Sequence, residues 1–312
     1  MIKIKKYESK YKSIWDEFIT KSKNGTFLFY RDYMEYHSDR FNDFSLMIYK
    51  ENKLITVLPA NINEETLISH GGLTFGGFII NYKMTAALML IIFKEVIKFV
   101  HKKHIKKLIY KCIPYIYHLF PAEEDRYALF KENARLYRRD ISTTIYLPKK
   151  LQYKELRRRC IKKAIKANLI VNKTDDYKTY WNILNSNLEK RYDTKPVHSL
   201  SEIEYLHNKF PDNIKLFASH KNNTMLAGVV IYENLNIAHA QYIASNEEGR
   251  KIGALDMLFS YLIEDYYHQK KYFDFGISNE NNGQYLNNGL ISFKEGFGAS
   301  GVAYDSYEII IK

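Results

Sequence analysis

The segment from Asn246 to Ala254 combines residue types that could bind a negatively charged group. It precedes an apolar-periodic stretch that predicts a helix from about Ala254 to His268. A helix N-terminus presents free backbone N–H groups and the positive end of its dipole, and both attract anions. The candidate contacts are Gly249, Arg250, Lys251, Gly253 and Ala254. The segment therefore predicts a site for the phosphates of a cosubstrate.

Asp274 is a candidate proton acceptor in a short apolar run, Tyr272 to Gly276, that predicts a strand. Strand side chains alternate between two faces, so Asp274 should point away from Phe273 and Phe275. A carboxylate there could take a proton from an attacking amine, or it could bond backbone at the strand end. The sequence leaves both possibilities open.

His198 and Tyr242 are two further candidates. His198 ends the polar segment from Lys195, and Tyr242 lies on a strand predicted from Ile237 to Ile243. Histidine titrates near neutral pH and can act as a general base, although a single histidine is more often structural. A tyrosine hydroxyl can donate a hydrogen bond or relay a proton, but chance placement is a strong alternative in a chain with 27 tyrosines.

Composition indicates a soluble globular protein with reduced thiols. The chain has 312 residues, of which 46% are hydrophobic and 26% charged, so two domains are expected. Cys112 and Cys160 cannot form a disulfide framework, and no zinc-ligand spacing, Gly-Lys-Ser/Thr loop or Gly-x-Ser-x-Gly elbow occurs. We expect no metal. These absences argue against several common enzyme classes.

The net charge of +12 is concentrated in one quarter of the chain. Between Lys102 and Lys166 there are nineteen Lys or Arg residues and six Asp or Glu residues. Such a band suits a polyanionic partner, namely coenzyme phosphates, a nucleotide sugar, a lipid diphosphate, an anionic membrane surface or tRNA. A solvated helix face in a basic protein is the alternative.

No segment predicts membrane insertion. The most apolar run, Met84 to Phe93, has ten residues, whereas a spanning helix needs about 20. It is better explained as part of a core helix from about Lys83 to His101. The first residues lack the apolar stretch of a secretion signal, so we expect a cytoplasmic protein without an integral membrane segment.

Each half of the chain predicts the same order of elements. Helices come first, followed by an antiparallel meander, a helix, a strand, a short helix and a last strand. Two meanders argue against a doubly wound sheet, which needs strict alternation of strands and helices. We therefore expect two α+β domains, 1–150 and 151–312, each with a mixed, mostly antiparallel sheet flanked by helices.

Short motifs along nearly the whole chain resemble the Fem-type aminoacyl and peptidoglycan-bridge transferases and the wider GNAT-fold acyltransferases. The motifs are Ser69–Gly77, Ile113–Thr144, Arg158-Arg159 with Ala164, Lys195–His198, Gln241–Ser245, Glu248–Ala254, Phe273–Gly276 with Ser278, and Phe293–Gly298. The resemblance implies two tandem GNAT-like domains. In the coenzyme A-binding motif of GNAT enzymes a Gly or Ala stands where this chain has Leu255.

The resemblance also implies roles for particular residues. Lys294 would lie near the acyl-transfer centre, where it could stabilise negative charge on the carbonyl oxygen. Ser278 would join the donor site. The implied acceptor contacts are Arg191, Tyr192, Tyr285 and Phe293.

The expected function is transfer of an acyl group, most simply acetyl, from a coenzyme A thioester to an amine. The resemblance suggests an amino sugar in a nucleotide- or lipid-linked envelope or polysaccharide precursor. One alternative is an aminoacyl-tRNA-dependent transferase acting on a lipid-linked muropeptide, which the basic band favours and the absence of a coiled-coil insertion disfavours. Another is a catalytically silent adaptor that binds polyanions or the inner membrane surface.

Overall fold

The computed structural model describes residues 1–312, except the side chains of residues 191 and 192. The chain forms two compact units. The first contains residues 1–140, 281–283 and 303–312, and the second contains 141–280 and 284–302. Residues 303–310 of the final strand therefore belong to the first unit, and residues 300–302 belong to the second. The domain boundary expected after residue 150 stays a prediction.

The first unit contains two groups of strands. Strands β1, β3, β4 and β7 form one sheet, and β17, β8, β6, β5 and β2 are adjacent in that order in another. Pairing is antiparallel except between β6 and β8. The bounds are β1 Ile2–Lys6, α1 Lys12–Thr20, α2 Arg31–Met34, β2 Asn42–Asp43, β3 Leu46–Lys50, β4 Lys53–Leu58, β5 Asn61–Asn63, β6 Thr66–Ile68, β7 Ile79–Ile80, α3 Ala86–His101, β8 Lys107–Lys111, α4 Glu124–Lys131, β9 Arg135–Tyr146 and β17 Ser300–Ile310.

Helix α3 is the core helix of the first unit. It begins where the Thr85 side chain accepts a hydrogen bond from the Leu88 backbone. Its buried face includes Met89, Phe93 and Val100, which pack with the strands. The prediction of a core helix is confirmed. In the part of the chain that the structure describes, no helix is long and apolar enough to cross a bilayer.

The second unit carries the candidate site. Its strands follow the order β10, β11, β12, β13, β14 and β9, the last contributing residues 141–146. The bounds are α5 Glu155–Lys166, β10 Ile170–Thr174, α6 Tyr177–Tyr192, α7 Leu200–Lys209, β11 Ile214–Lys221, β12 Thr224–Glu233, β13 Ile237–Ser245, α8 Glu247–Ile252, α9 Ala254–Tyr261, β14 Tyr272–Ile277, β15 Asn279–Glu280, β16 Tyr285–Leu286 and α10 Asn288–Glu295. The predicted α+β class with mixed, mostly antiparallel sheets is confirmed.

Strands β13 and β14 separate after a short parallel ladder. They pair only from Ile237 with Tyr272 to His239 with Asp274. Beyond that ladder β13 continues to Ser245, and its register with β12 shifts near Ala240. Where parallel strands diverge, their backbone N–H and C=O groups lose the hydrogen bonds between the strands. These groups then need other hydrogen-bond partners. The candidate site lies at this opening between β13 and β14.

The polar composition of the segment from Asn246 to Ala254 predicts a loop, but this prediction is wrong. Residues Glu247–Ile252 form helix α8, and Gly253, with φ of 81°, separates it from α9. Asn246 caps α8 by accepting a hydrogen bond from Gly249 N–H. This helix is not evident from the sequence because it is only six residues long and its polar composition resembles that of a loop.

Candidate functional site

A buried carboxylate lies where β13 and β14 separate. Asp274 is fully buried and faces away from Phe273 and Phe275, which belong to the apolar core, so the predicted orientation is confirmed. Three neighbours donate to it over 2.6 Å each, Ser142 Oγ and Thr144 Oγ1 to Oδ1 and His239 Nδ1 to Oδ2. These bonds fix the carboxylate within the sheet.

The same neighbours keep Asp274 ionised. Burial alone would raise the pKa of this carboxyl group, because it removes the charged form from water. The hydrogen bonds from His239, Ser142 and Thr144 outweigh that effect and hold the pKa below its ordinary value. The second unit thus contains a permanent negative charge beside the opening.

Lys294 supplies a positive charge from α10. It is 2% exposed, and its Nζ donates to the carbonyl oxygens of Gly276 and Ile277 over 2.8 and 2.7 Å. These two carbonyls lie beyond the β13–β14 ladder, so the ammonium group satisfies acceptors that a strand would otherwise bond. Burial lowers the pKa of Lys294 to about 8, and the charge of Asp274 offsets only part of this.

His198 and Tyr242 form a pair. The Tyr242 hydroxyl lies 2.5 Å from His198 Nδ1 and accepts a bond from the His198 backbone over 3.3 Å. Trp181 Nε1 donates to the His198 carbonyl oxygen, and its ring meets that of Tyr242 edge-on. The two sequence candidates therefore act together to hold the segment before α7. Their catalytic roles stay predictions.

A cavity of about 510 Å³ opens between the end of β13 and helices α5, α6 and α10. Ile243 to Ser245 form one wall, and Leu184, Leu290 and Phe293 make much of the lining apolar. The predicted donor residues Gly249 and Arg250 line it, as does Phe293. The volume and lining suit an acyl group with an apolar portion.

One ion pair lies in this largely apolar cavity. Arg157 Nη1 donates to Asp256 Oδ1 over 2.7 Å, and both side chains are about one-tenth exposed. The Arg157 guanidinium also stacks on the Phe293 ring, 4.8 Å from its centroid. Burial raises the pKa of Asp256 to about 6, although the charge of Arg157 opposes the shift.

The predicted anion site at Glu248–Ala254 contains acidic side chains and is partly covered by α5. The first turn of α8 carries Glu247 and Glu248, which would repel a phosphate. Gly253 packs against α5, so that a Cβ at this position would lie 2.5 Å from the carbonyl oxygen of Cys160. The first turn of α9 already holds the Asp256 carboxylate. These acidic helix starts lie beside the basic residues Arg250 and Lys251 of α8, so the anion site stays a prediction.

The other predicted residues are dispersed. Lys251 and Tyr285 are exposed, whereas Ala254 is buried in a small apolar cluster with Ala164 and Leu226. Ser278 is buried, and its hydroxyl has no hydrogen-bond partner among the side chains and backbone that the structure describes. The side chains of Arg191 and Tyr192 lie outside the described part, so their acceptor roles stay predictions.

Sequence reasoning missed several residues of this site. His239, Ser142 and Thr144 bond Asp274 from other strands, and Arg157 and Asp256 form the cavity ion pair. Strand alternation could have placed His239 on the same face as an inward carboxylate. The register that joins it to Asp274 depends on a parallel pairing between distant segments, which no local pattern reveals.

Known proteins resemble both the second unit in sequence and the whole chain in fold. Residues 152–285 match the family model of an acetyltransferase (GNAT) domain. No curated protein matches the chain with significant similarity. The chain is an acyltransferase with a GNAT domain.

Solved structures show that the whole chain of this acyltransferase shares one fold with several proteins. FemX is 10% identical, with a TM-score of 0.70 over 99% of this chain and 97% of that one. L-PGS from Bacillus licheniformis is 10% identical, with a TM-score of 0.64 over 99% and 93%. A tandem GNAT protein from the clavulanic acid biosynthesis pathway is 9% identical, with a TM-score of 0.54 over 100% and 99%. The fold is therefore the tandem GNAT arrangement that the motifs implied.

Proposed function

We propose that this acyltransferase moves an aminoacyl group from the ester of an aminoacyl-tRNA to an amine. The observation that supports this donor most directly is the position of α5 over the α8–α9 junction, where Gly253 contacts Cys160. In a coenzyme A-dependent enzyme that junction would bind the pyrophosphate. Here it carries acidic side chains and a covering helix, so a donor that enters from another direction fits better.

The outer face of α5 offers a surface for RNA. Arg159, Lys162, Lys163 and Lys166 are exposed at helical spacing. The ion pairs of α5 involve the neighbouring residues Arg157 and Arg158. A row of uncompensated cations on a helix that lines the cavity with Arg157 suits a phosphodiester backbone whose end reaches the cavity.

The part of the basic band that lies in the first unit, residues 102–140, is less suited to binding a polyanion than α5 is. Its arginines in the first unit are engaged with carboxylates, Arg126 and Arg139 with Asp305, Arg135 with Glu308, and Arg138 with Asp140. Ion pairing offsets part of their charge, since Arg126 and Arg139 share the Asp305 carboxylate. The polyanion surface is therefore narrower than the sequence count suggested and centres on α5.

The chemistry assigned to the second unit is aminolysis of an ester. Lys294 has three N–H bonds, two of which bond the Gly276 and Ile277 carbonyls and orient the ammonium group. The third would stabilise the oxyanion that forms as the amine attacks the ester carbonyl. The cavity beside Phe293 would hold the aminoacyl side chain. The acceptor would be an amine of a lipid- or nucleotide-linked envelope precursor, in keeping with the Fem-type resemblance.

A second candidate is acetyl transfer from coenzyme A to an amino sugar, because the family model that matches residues 152–285 describes an acetyltransferase. It would require the coenzyme to bind without the α8–α9 junction. Binding measurements separate the two donors.

The test compares retention of labelled ligands by the protein at several salt concentrations. The ligands are total bacterial tRNA charged with amino acids, the same tRNA uncharged, and acetyl-coenzyme A. We expect charged tRNA to bind, with a salt slope that falls by about 3 when Arg159, Lys162, Lys163 and Lys166 are replaced by Gln. A matched control replaces four exposed cations of the first unit, Lys53, Lys83, Lys102 and Lys103.

Three outcomes would redirect the assignment. Binding of acetyl-coenzyme A alone would establish the second candidate. Equal loss of tRNA binding in the control variant would show a generic charge effect. Binding of any polyanion without acyl transfer, unchanged by Lys294→Met, would support the silent adaptor instead.

A further inference from the structure

The last paired residues before β13 and β14 separate are His239 and Asp274. Their side chains are joined by the 2.6 Å bond from Nδ1 to Oδ2. They lie on the face of the sheet opposite the apolar core of Phe273 and Phe275. A histidine and a carboxylate thus meet at the inner end of the opening.

Asp274 cannot touch a substrate. It is fully buried, and Ser142 and Thr144 occupy its other oxygen. Its pKa is held below the ordinary value, so it remains an acceptor for the Nδ1–H of His239. Any effect on a reaction must therefore pass through His239.

His239 is placed to transmit that effect. Its side chain is 11% exposed. The ring edge that carries Nε2 lies beside Gly276, where a Cβ would come within 3.2 Å of Cε1 and 3.8 Å of Nε2. Gly276 has φ of 75°, a conformation that favours glycine. The β14 backbone therefore passes close to this ring edge, and any other residue at 276 would be strained and would crowd it.

The carbonyl of the same glycine accepts the bond from Lys294 Nζ. Gly276 consequently connects the ring edge of His239 on one side with the ammonium group of Lys294 on the other. A reacting ester carbonyl near Lys294 would lie near the histidine as well. This arrangement places a proton acceptor and an oxyanion stabiliser at one point.

We propose that His239 accepts the proton of the attacking amine and that Asp274 is its positioning residue. The amine nitrogen forms a bond to the acyl carbon, and its proton passes to Nε2 while Asp274 stabilises the resulting imidazolium. The bond from the acyl carbon to the donor oxygen then breaks, and the leaving hydroxyl takes the proton from Nε2. Atoms and charge balance without another reactant. This inference rests on the proposed transfer to an amine.

The distinguishing variants are His239→Asn and His239→Gln. The Asn side chain can place an N–H near the position of Nδ1 and so keep a bond to Asp274, but it has no group at the position of Nε2. The Gln side chain reaches farther and offers an amide that cannot accept a proton at neutral pH. Circular dichroism and thermal unfolding of both variants show whether the fold is retained.

The readout compares two small acceptors, methylamine and hydroxylamine, with charged total tRNA as donor. Both amines must lose a proton as the C–N bond forms. Methylamine is strongly basic, so it is protonated at neutral pH and its adduct also needs a base, whereas hydroxylamine is already largely unprotonated and its more acidic adduct can lose the proton to water. We expect His239→Asn to slow transfer to methylamine by at least about 100-fold, and transfer to hydroxylamine by less than about 10-fold. Asp274→Asn should show the same selective loss to a smaller degree.

Two results would overturn the inference while leaving the proposed function in place. One is an unchanged rate for folded His239→Asn with methylamine, and the other is an equal loss with both acceptors. If the wild-type protein transfers no aminoacyl group to either acceptor, the proposed function itself fails. The wild-type reaction thus separates the two failures.

Discussion

The ammonium nitrogen of Lys294 lies 2.8 Å from the carbonyl oxygen of Gly276, immediately beyond the last β13–β14 pair. The lysine thus satisfies backbone that the diverging strands leave unpaired. A single residue therefore links the stability of the opening to its chemistry. Replacing it should affect both.

Lys294→Met should lower the transfer rate by about 100-fold or more, because the oxyanion loses its donor. It should also cost about 2–4 kcal/mol of unfolding free energy, since two buried carbonyls lose their hydrogen bonds. Transfer assays and urea unfolding at pH 7 measure these effects. A variant with wild-type activity would contradict the role assigned to Lys294.

The pH dependence of the same variant follows from the lowered pKa of Lys294, about 8 against an ordinary 10.5. Between these values the unfolded chain binds more protons at this lysine than the folded chain does. The stability of the wild-type protein should therefore rise with pH relative to Lys294→Met, by up to about 1.4 kcal/mol per pH unit. Urea unfolding at pH 8 and 9.5 tests this, and a constant difference would argue against it.

Asp274→Asn should cost about 3 kcal/mol at pH 7, because the buried donors lose a charged acceptor. The folded pKa of Asp274 is lowered, so its contribution is present above the ordinary value of 3.8 and is lost as pH falls below it. The gap between wild type and variant should stay constant from pH 7 to about pH 4 and then narrow. A gap that already narrows at pH 6 would mean that Asp274 is not held ionised.

Arg157→Met should destabilise the protein more at pH 7.5 than at pH 5.5. Without Arg157, Asp256 is a buried unpaired charge at pH 7.5, which costs about 3 kcal/mol. Because the pKa of Asp256 is raised to about 6, acid neutralises this carboxylate and relieves part of the cost. Arg158→Met is the control, since its pair with Glu155 is exposed. It should cost less than about 0.5 kcal/mol at either pH.

Gly253→Ala should cost about 2 kcal/mol. Its φ of 81° strains any other residue, and the added Cβ would collide with the Cys160 carbonyl oxygen. Gly289→Ala on α10 is a matched control, because its Cβ would meet nothing closer than 3.6 Å. Thermal unfolding of the two variants distinguishes them. Equal melting temperatures would mean that α5 does not pack on the α8–α9 junction as described.

Local sequence patterns predicted much of the fold. Alternation of Phe273, Asp274 and Phe275 placed the carboxylate on the correct face, and the apolar spacing from Met89 to Val100 identified the core helix. The contribution of His239 could not be predicted, because it depends on a parallel register between segments about 35 residues apart. The surroundings of the predicted anion site could not be predicted for a similar reason. Nothing near Gly253 reveals that Cys160, from another helix, covers it.

The most direct test of the proposed function measures which donor gives up its labelled acyl group. Total bacterial tRNA charged with radiolabelled amino acids, or labelled acetyl-coenzyme A, is incubated with the protein and hydroxylamine, and the hydroxamate product is counted. Lys294→Met serves as the control. Because hydroxylamine also reacts with both donors without protein, rates are compared with the protein-free reaction. We expect the protein to accelerate aminoacyl hydroxamate formation from charged tRNA, with no acceleration by the variant and none from the thioester. Acceleration of acetyl hydroxamate formation from acetyl-coenzyme A, with none from charged tRNA, would contradict this.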